Sequence, residues 1–239
     1  MKREGEVGGA PEAQGSTAAS WDAEYGAGRY AGAAPDGFVA DIIAAAAAHQ
    51  LSEGLYIGCG NGRNLVPLLA AGLDLTGLDI SQAAITQLRA RRPDRAGRFI
   101  VGDLSALPGT ARYDLVIGIQ VFQHGRREQA ARHLARAGAR VRPGGLFCVR
   151  VNAAGTDVEY DHDRFEEDGQ GGYTVRYRAG PKTGLDIHFF SAAELTSLIP
   201  RSSTEVLPLR RHTTQRNPPS RGQWSQWEVI WQLNSTGAG

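Results

Sequence analysis

The sequence predicts an α/β fold in which a mostly parallel sheet carries helices on both of its faces. Between residues 51 and 151, short apolar runs rich in β-branched side chains alternate with stretches in which apolar residues recur at helical spacing. Glycine or proline separates these units, as at Gly72 and Pro93. This rhythm predicts parallel strand pairs, because each helix returns the chain to the same end of the sheet.

The predicted elements of this region follow one another closely. Strands are predicted at 55–57, 73–78, 99–101, 113–121 and 146–151. The first helix after a strand is predicted to begin at Arg63 or Asn64, because Pro67 is tolerated only in a first turn. Ser81 is predicted to cap the next helix, and a Pro-Gly-Gly turn at 143–145 is predicted to lead into the fifth strand.

The last third of the chain is predicted to add a cap and a final strand. Residues 153–188 show little helical periodicity, and the alternation within 173–177 predicts a strand. A capping-box pair, serine followed three residues later by glutamate, predicts a helix over 191–199. Apolar residues alternate again at 227–233, which predicts the last strand.

Composition and charge restrict the class of protein. Lys plus Arg total 26 and Asp plus Glu total 25, so net charge gives no reason to expect nucleic acid or a membrane surface as partner. Residues 1–20 lack a signal peptide's apolar block and predict a disordered tail, whereas the alanines of 36–49 predict a helix. Cys59 and Cys148 lie in apolar runs, as buried thiols of a reducing compartment do, which predicts a cytoplasmic location.

A glycine-rich loop at 58–62 follows the first strand and opens a helix. Such a loop lets a ligand approach the backbone closely and offers amides at a helix N-terminus, although a tight turn that binds nothing is the alternative. A dinucleotide site would need glycine at the sixth position, where Arg63 stands. Asp79 and Asp103 end the next two strands, where carboxylates suit the hydroxyls of a ribose and the amine of an adenine. Each aspartate alone is more often a turn residue, but two at successive strand ends favour a nucleoside site.

These motifs together resemble those of the class I S-adenosylmethionine (SAM)-dependent methyltransferases over about residues 51–151. The segments similar to the family's motifs are 55–62 for the glycine loop, 77–81 for the ribose-binding strand end, 102–103 for the adenine motif, 113–124 for the fourth strand and its loop, and 142–145 for the turn before strand five. Tyr56 departs from the pattern, since the family usually has an acidic residue there that organises the methionine end of SAM.

The resemblance implies a Rossmann-like, seven-stranded, mostly parallel sheet with an antiparallel last strand, and SAM as the cofactor, with S-adenosylhomocysteine as product. It also implies that 51–239 is the SAM-binding domain with a cap insertion at 153–188, and that 21–50 is a lid segment and helix. The residues implied to contact the cofactor are Trp21, Tyr25, Tyr30, Gly58, Cys59, Gly60, Asn61, Arg63, Asn64, Asp79, Ile80, Asp103, Leu104 and Gln120.

The expected reaction is methyl transfer to an oxygen or nitrogen atom of a small-molecule acceptor, with natural-product tailoring as one setting. His124 follows the fourth strand and is the candidate catalytic base for a hydroxyl acceptor; the alternative is a histidine that orders the loop. Its pKa is expected near 6.5 unless the site shifts it. The candidate acceptor-binding residues are Asn152, Tyr160, Tyr173, Arg176 and His188, for the last of which a satisfied buried histidine is favoured.

Two other functions stay open at this point. A nucleic-acid methyltransferase would need a basic groove, and the cations of 210–221 are the candidates, although a solvated or structural loop is preferred for them. A SAM-binding protein that transfers no methyl group is conceivable because of Tyr56. The acidic run 157–168 is interpreted as a surface loop and no metal is predicted, because its spacing does not match an EF-hand. The oligomeric state is not predicted.

Overall fold

A computed structural model describes residues 11–167, 169–199 and 202–234 of the chain, with side chains from residue 17 onward. The helices among these residues are α1 Pro11–Gly26, α2 Phe38–Ala48, α3 Leu65–Ala70, α4 Gln82–Arg91, α5 Arg127–Gly138 and α6 Ala192–Ser197. The strands are β1 Glu53–Ile57, β2 Asp74–Asp79, β3 Phe99–Val101, β4 Tyr113–Ile119, β5 Val141–Asn152, β6 His162–Phe165, β7 Tyr173–Tyr177, β8 Asp186–Phe189, β9 Ser203–Gln215 and β10 Gln223–Leu233. None of the described helices is both long enough and apolar enough to span a bilayer.

The main sheet has seven strands in the order β3-β2-β1-β4-β5-β10-β9. The strands from β3 to β5 are parallel, whereas β10 runs antiparallel to both β5 and β9. This arrangement confirms the predicted fold class, including the antiparallel strand at the end of the chain. Because the parallel strands share one direction, β1, β2, β3 and β4 all end at the same edge of the sheet.

Helices cover both faces of this sheet, as predicted. One apolar core lies under α2, α3 and α4, and contains Phe38 and Leu68 packed with Leu75 of β2. The other lies under α5 and α6, and contains Leu134 with Val149 of β5. Each of these fully buried side chains contributes about 1.5–3 kcal/mol to stability. The two cores hold the strand ends in a fixed geometry.

The cap predicted at 153–188 forms a separate antiparallel sheet in the order β6-β7-β8. It has its own apolar cluster, in which the rings of Tyr173 and Phe189 stack with centroids 5.0 Å apart. The cap is joined to the loop after β4 by backbone hydrogen bonds, in which the His188 N–H donates to Gln123 and the Gly125 N–H donates to Asp186, both over 2.8 Å. The cap therefore stands over the carboxyl ends of the parallel strands.

Three predictions differ from the structure. The predicted tail 1–20 is wrong for 11–20, which belong to α1; residues 1–10 lie outside the described residues. The Pro-Gly-Gly turn at 143–145 lies within β5, where Gly144 has φ +82° and the pairing with β4 shifts in register near it. The strand β9 was missed, because most of its side chains are exposed and Pro208 interrupts its pattern, as an edge strand tolerates.

Candidate cofactor and acceptor site

A cavity of about 1170 Å³ lies at the carboxyl ends of the parallel strands. Its floor is the glycine loop after β1, its roof is α1, and its far wall is formed by the loop after β4, the β7–β8 turn and the start of β10. Crevices outside the carboxyl ends of parallel strands are the usual ligand sites of open α/β sheets. The volume lies above the roughly 300–1000 Å³ typical of one-ligand pockets, so it suits two adjacent ligands.

The glycine loop is tied to the end of β2 by Asp79. The Gly60 N–H donates to Asp79 Oδ2 over 2.7 Å, and the Ser81 N–H donates to Asp79 Oδ1 over 2.9 Å. Burial raises the pKa of Asp79, and these two N–H groups act in the opposite direction. Since an ionised carboxylate accepts about four hydrogen bonds, Asp79 keeps capacity for a ligand's hydroxyl groups.

At two positions of the loop, the backbone conformation and the neighbouring side chains leave room only for glycine. Gly58 and Gly60 have φ +69° and +54°, where residues with a Cβ are disfavoured. A Cβ on Gly58 would lie 2.6 Å from Val121 Cγ2, and one on Gly60 would overlap the Tyr25 hydroxyl. The Tyr25 hydroxyl therefore lies directly over the glycine loop, which brings α1 against the place where a ligand would bind.

Asp103 stands one strand further along the edge, beyond β3. Its Oδ1 accepts hydrogen bonds from the Ser105 N–H over 2.8 Å and from the Ser105 hydroxyl over 2.5 Å. Burial pushes the pKa of Asp103 upward, but the Ser105 hydrogen bonds prevail and hold it below its usual range. Asp103 is thus an ionised acceptor at the same cavity as Asp79.

Aromatic side chains of the N-terminal segment form the roof. Trp21 and Tyr25 of α1 have ring centroids 6.2 Å apart, and Tyr30 follows at 6.0 Å from Tyr25. Asp22 fixes the helix, since its Oδ1 accepts from the Ser81 hydroxyl over 2.6 Å and from the Ala83 N–H over 3.0 Å. The roof is thereby anchored to the first turn of α4, next to Asp79.

A carboxylate that the sequence analysis missed lies beside the buried Tyr56. Asp36, in the loop before α2, accepts from Asn64 Nδ2 over 3.0 Å and forms ion pairs with Arg63 at 2.6 Å and Arg150 at 2.5 Å. The Asn64 side chain also hydrogen-bonds to Tyr56. An acidic group therefore does stand near position 56, but it comes from a segment twenty residues earlier in the chain.

The guanidinium of Arg150 connects Asp36 to the sheet. Only 5 % of Arg150 and 2 % of Glu228 are exposed, and Arg150 Nε lies 2.9 Å from Glu228 Oε1. Glu228 also accepts two hydrogen bonds from Arg210 of β9, at 3.0 and 2.8 Å. Buried charges persist only when they are paired in this way. The basic stretch predicted as a loop thus contributes one of its arginines to this network.

The loop after β4 carries polar atoms that lack partners. Gln120 Nε2, Gln123 Oε1 and His124 Nδ1 are buried and have no hydrogen-bond partner among the described residues. Gln120 also has φ +60°, a strained conformation for a residue with a side chain. Unsatisfied buried polar atoms are rare in folded proteins, so three in one loop beside a cavity indicate a place that a polar ligand fills.

The ring of His124 is held uncharged. Burial lowers its pKa to about 3, and the positive charges of Lys182 and His133 add to this effect, whereas the Gln120 backbone opposes it. The ring packs edge-on against Trp21, with centroids 5.3 Å apart. The expected pKa near 6.5 is therefore corrected, because the cap and α1 remove the imidazole from water.

All fourteen residues implied to contact the cofactor line this cavity, and so do His124 and Arg176. Four of the predicted acceptor contacts do not. The His188 ring is buried between Thr174 and Glu194, both at 2.9 Å, and Asn152 Oδ1 accepts from Trp224 over 3.3 Å. The remaining two belong to the cap's own structure: Tyr173 donates to the carbonyl of Thr156 over 3.2 Å, and Tyr160 is 41 % exposed and packs on Gly180.

The sequence analysis also missed acceptor-end residues. Lys182 of the β7–β8 turn and Trp224 of β10 line the cavity away from the glycine loop. Nothing in their local sequence marks them, because each becomes part of the site only through the packing of the cap and β10. Among the described residues, no group of three histidine, cysteine or acidic side chains could hold a metal ion.

Comparison with known proteins shows which part of the chain is similar to a described protein domain. Residues 55–145 match the family profile described as a methyltransferase domain, and no curated protein sequence matches the chain. The structure is similar to 1,6-didemethyltoxoflavin-N1-methyltransferase of Burkholderia thailandensis, crystallised with 1,6-didemethyltoxoflavin and S-adenosylhomocysteine (TM-score 0.68, 19% identity, 98% of this chain and 94% of that chain).

Two further structures share the fold. One is a SAM-dependent methyltransferase from Clostridium acetobutylicum (TM-score 0.55, 12% identity, 83% of this chain and 91% of that chain). The other is CalS10 with bound SAM, an amino pentose methyltransferase from Micromonospora echinaspora involved in calicheamicin biosynthesis (TM-score 0.51, 16% identity, 97% of this chain and 100% of that chain). Residues 55–145 thus match a methyltransferase domain, and the chain as a whole has the fold of these SAM-dependent methyltransferases.

Proposed function

We propose that this protein is a class I methyltransferase that binds SAM and transfers its methyl group to an oxygen or nitrogen atom of a small molecule. The observation that carries the proposal is the single cavity of about 1170 Å³, which runs from the glycine loop to Lys182 and Trp224 under the roof of α1. One end has the groups that suit a nucleoside, and the other end has a different lining of aromatic and cationic side chains. A roofed cavity of this size favours a small acceptor over a polymer.

The residues at the cofactor end fit SAM in each of its parts. Asp79 supports the ribose hydroxyls, Asp103 lies where the adenine amine is expected, and the glycines leave room that a Cβ would fill. Asp36 and Arg63 offer opposite charges for the ammonium and carboxylate of the methionine end. We assign to Asp36 the role of the acidic residue that position 56 lacks. When bound, SAM supplies a methyl group on a sulfonium, which is a good leaving group.

The acceptor end indicates how the protein assists the transfer. A histidine with a pKa of about 3 holds no proton near neutral pH and takes one up poorly, so His124 is a weak base for an alcohol. A neutral amine, or an oxygen that is already ionised, needs no such base. The protein then contributes by orienting the acceptor in line with the methyl group and by excluding water. The unpaired atoms of Gln120 and Gln123 are suited to orient it by hydrogen bonds.

The neighbours in fold give limited support for a small acceptor. The Burkholderia enzyme was crystallised with 1,6-didemethyltoxoflavin and the Micromonospora enzyme is an amino pentose methyltransferase, so this architecture accommodates small heterocyclic and sugar acceptors. For a nucleic-acid acceptor, a track of free cations beside the cavity would be expected. Arg63, Arg150 and Arg210 instead form ion pairs with carboxylates.

The test is a labelling experiment with methyl-tritiated SAM. The protein is incubated with a metabolite fraction of low molecular weight, with bulk RNA and with DNA, each in a separate reaction. Label transferred only to the low-molecular-weight fraction supports the proposal, and Asp79→Ala serves as the control with weakened cofactor binding, in which transfer should fall. Label in RNA or DNA would establish the nucleic-acid alternative instead. Tight SAM binding without transfer to any fraction would favour a protein that binds SAM without methylating.

A further inference from the structure

We propose that the acceptor carries an oxyanion on a planar ring, and that Lys182 binds this oxyanion between Trp21 and Trp224. The oxyanion is either a carboxylate or an ionised acidic hydroxyl. This inference rests on the proposed function, because it names the class of small molecule that the acceptor end receives. It follows from the position of Lys182, from the pairing of the other cations and from the aromatic walls beside it.

Lys182 occupies the point where three distant segments meet. Its Nζ lies 6.0 Å from the ring centroid of Trp21 and 6.0 Å from that of Trp224. His124, on a fourth segment, is close enough for the Lys182 charge to lower its pKa. All four side chains line the cavity. A ligand that reaches Lys182 therefore passes along two indole rings and an imidazole, which favours a flat acceptor.

The ammonium of Lys182 differs from the neighbouring cations at this end of the cavity in forming no ion pair with a described carboxylate. Among the residues that the structure describes, it has no hydrogen-bond partner and no ion pair. The neighbouring cations are each held by a carboxylate of the chain: Arg29 by Glu24, Arg176 by Asp186 and Arg216 by Glu159. Lys182 is half-buried, and placing an ammonium there without an ion pair is costly: burial lowers the pKa of Lys182 to about 8, the Arg29 charge adds to this effect, and the Glu24 carboxylate opposes it. A bound anion would remove that cost.

The backbone presents Lys182 in a fixed position. The turn between β7 and β8 contains Gly180 and Gly184 with φ +81° and +82°. It is closed by hydrogen bonds from the Leu185 N–H to the Lys182 carbonyl over 2.9 Å and from the Thr183 hydroxyl to the Gly180 carbonyl over 2.6 Å. Such a turn fixes the backbone at Lys182 before the acceptor arrives, so that little backbone entropy is lost on binding.

The choice of lysine at this position is unusual for this chain. The sequence has only two lysines, Lys2 and Lys182, and uses arginine for its other 24 basic positions. Arginine forms two parallel hydrogen bonds with a carboxylate, whereas lysine acts as a compact point charge that suits a single oxygen atom. A narrow space between two indole rings is better filled by the smaller group.

The experiment measures binding of matched ligands to the protein loaded with S-adenosylhomocysteine. One pair is 2-naphthoate and 2-naphthamide, which differ in the charge of the carboxyl group. The other pair is 4-nitrophenolate and 4-nitroanisole, which differ in the ionised hydroxyl. In at least one pair the anion is expected to bind roughly tenfold or more tightly, the effect of a charge-assisted hydrogen bond. The pair that shows the preference tells whether a carboxylate or an ionised hydroxyl is recognised.

Variants then assign the preference to Lys182. Lys182→Met should abolish it and Lys182→Arg should retain part of it. Arg178→Met serves as the matched control, because Arg178 is an exposed cation of the same cap that pairs with Asp163 outside the cavity. Its preference should equal that of the unmodified protein. If no anion binds more tightly than its neutral partner, or if the preference survives Lys182→Met, the inference is wrong.

A chemical readout tests the same site independently. Because the chain has two lysines, an amine-reactive reagent followed by mass spectrometry reports on Lys182 directly. The preferred anion should slow labelling of Lys182 and leave Lys2 unaffected; equal labelling with and without it would contradict the inference. The proposed function is checked separately by S-adenosylhomocysteine binding and by methyl transfer. If the protein binds the cofactor but methylates only neutral acceptors, the proposed function is supported and the inference that the acceptor carries an oxyanion is wrong.

Discussion

The two ends of the cavity are built in different ways. The cofactor end consists of strand ends and the turns that follow them, and its ties are backbone hydrogen bonds such as those from Gly60 and Ser81 to Asp79. The acceptor end consists of single side chains from α1, the loop after β4, the β7–β8 turn and β10. One end is set by consecutive residues and the other by packing of segments that are up to two hundred residues apart.

This difference indicates which residues of the cavity can be substituted without disrupting the fold. The Asp79 contacts are part of the main sheet's edge, so changes there disturb both the loop and the cofactor. Lys182 can change with less effect on the main sheet, because it lies in the cap, which has its own apolar cluster. Loops that extend past strand ends commonly determine specificity for this reason. If the two ends are independent, changes at the cofactor end should alter SAM affinity, and changes at the acceptor end should leave it intact.

The largest effect is expected at the ribose carboxylate. Asp79→Ala should weaken SAM binding by about 1.5–3 kcal/mol, because it removes charged hydrogen bonds to the ligand and releases the glycine loop. Isothermal titration measures the loss. Asp74→Ala is the control, since Asp74 lies at the opposite end of the same strand and pairs with Arg95 on the surface. Equal SAM affinity in the Asp79 variant and the control would show that the ribose lies elsewhere.

The next largest effect is expected at the carboxylate that replaces the family's acidic residue. Asp36→Asn should weaken SAM binding roughly tenfold, because the methionine end loses its negative partner and Arg63 loses its ion pair. Asp41→Asn is the matched control, because Asp41 pairs with Arg210 outside the cavity and surface ion pairs contribute little. If both variants bind SAM alike, Asp36 has only a structural role toward Arg150.

A smaller effect is expected from removing the roof. Deleting residues 1–15 leaves Trp21, Tyr25 and the Asp22 contacts to α4, so SAM affinity should hold. Deleting 1–32 removes all of them together with Tyr30, and affinity should fall several-fold as the ligand loses apolar cover. Unchanged affinity in the longer deletion would mean that the aromatic roof does not contact the cofactor.

A prediction on stability, not on SAM affinity, concerns the uncharged histidine. The pKa of His124 is about 3 in the folded chain against 6.5 for the free side chain, so the folded state binds fewer protons between these values. Its contribution to stability is therefore present above pH 6.5 and is lost as pH falls toward 3. Between pH 7 and 5 the free energy of unfolding should fall more steeply in the unmodified protein than in His124→Gln, as measured by urea denaturation.

The same pKa also predicts a kinetic result. With His124 uncharged throughout, the rate of methyl transfer should show no inflection near pH 6.5 attributable to this residue. An inflection there that disappears in His124→Gln would show that the ring takes up a proton during the reaction, and would restore it as a general base.

Much of the fold, and the grouping of the candidate cofactor residues at one edge of the sheet, could be predicted because their signals are local. The alternation of strands and helices, the glycine loop, and Asp79 and Asp103 at successive strand ends all depend on neighbouring residues. The helix α1 could not be predicted in the same way, because Asp22 holds it against α4 some sixty residues later. The edge strand β9 was missed since its exposed side chains leave no hydrophobic pattern.

Only the tertiary structure determined which side chains line the acceptor end of the cavity. Tyr173 and His188 have side chains typical of a binding site, yet the cap buries both in its own structure. Lys182 stands alone in a turn and gains its surroundings only when α1 and β10 bring Trp21 and Trp224 beside it. The sequence by itself determined the sheet and the positions of Asp79 and Asp103 at one edge of it, because the periodicity of strands and the residues that end them are local features of the chain. The acceptor site required the fold, because long-range packing alone determines which side chains share a cavity.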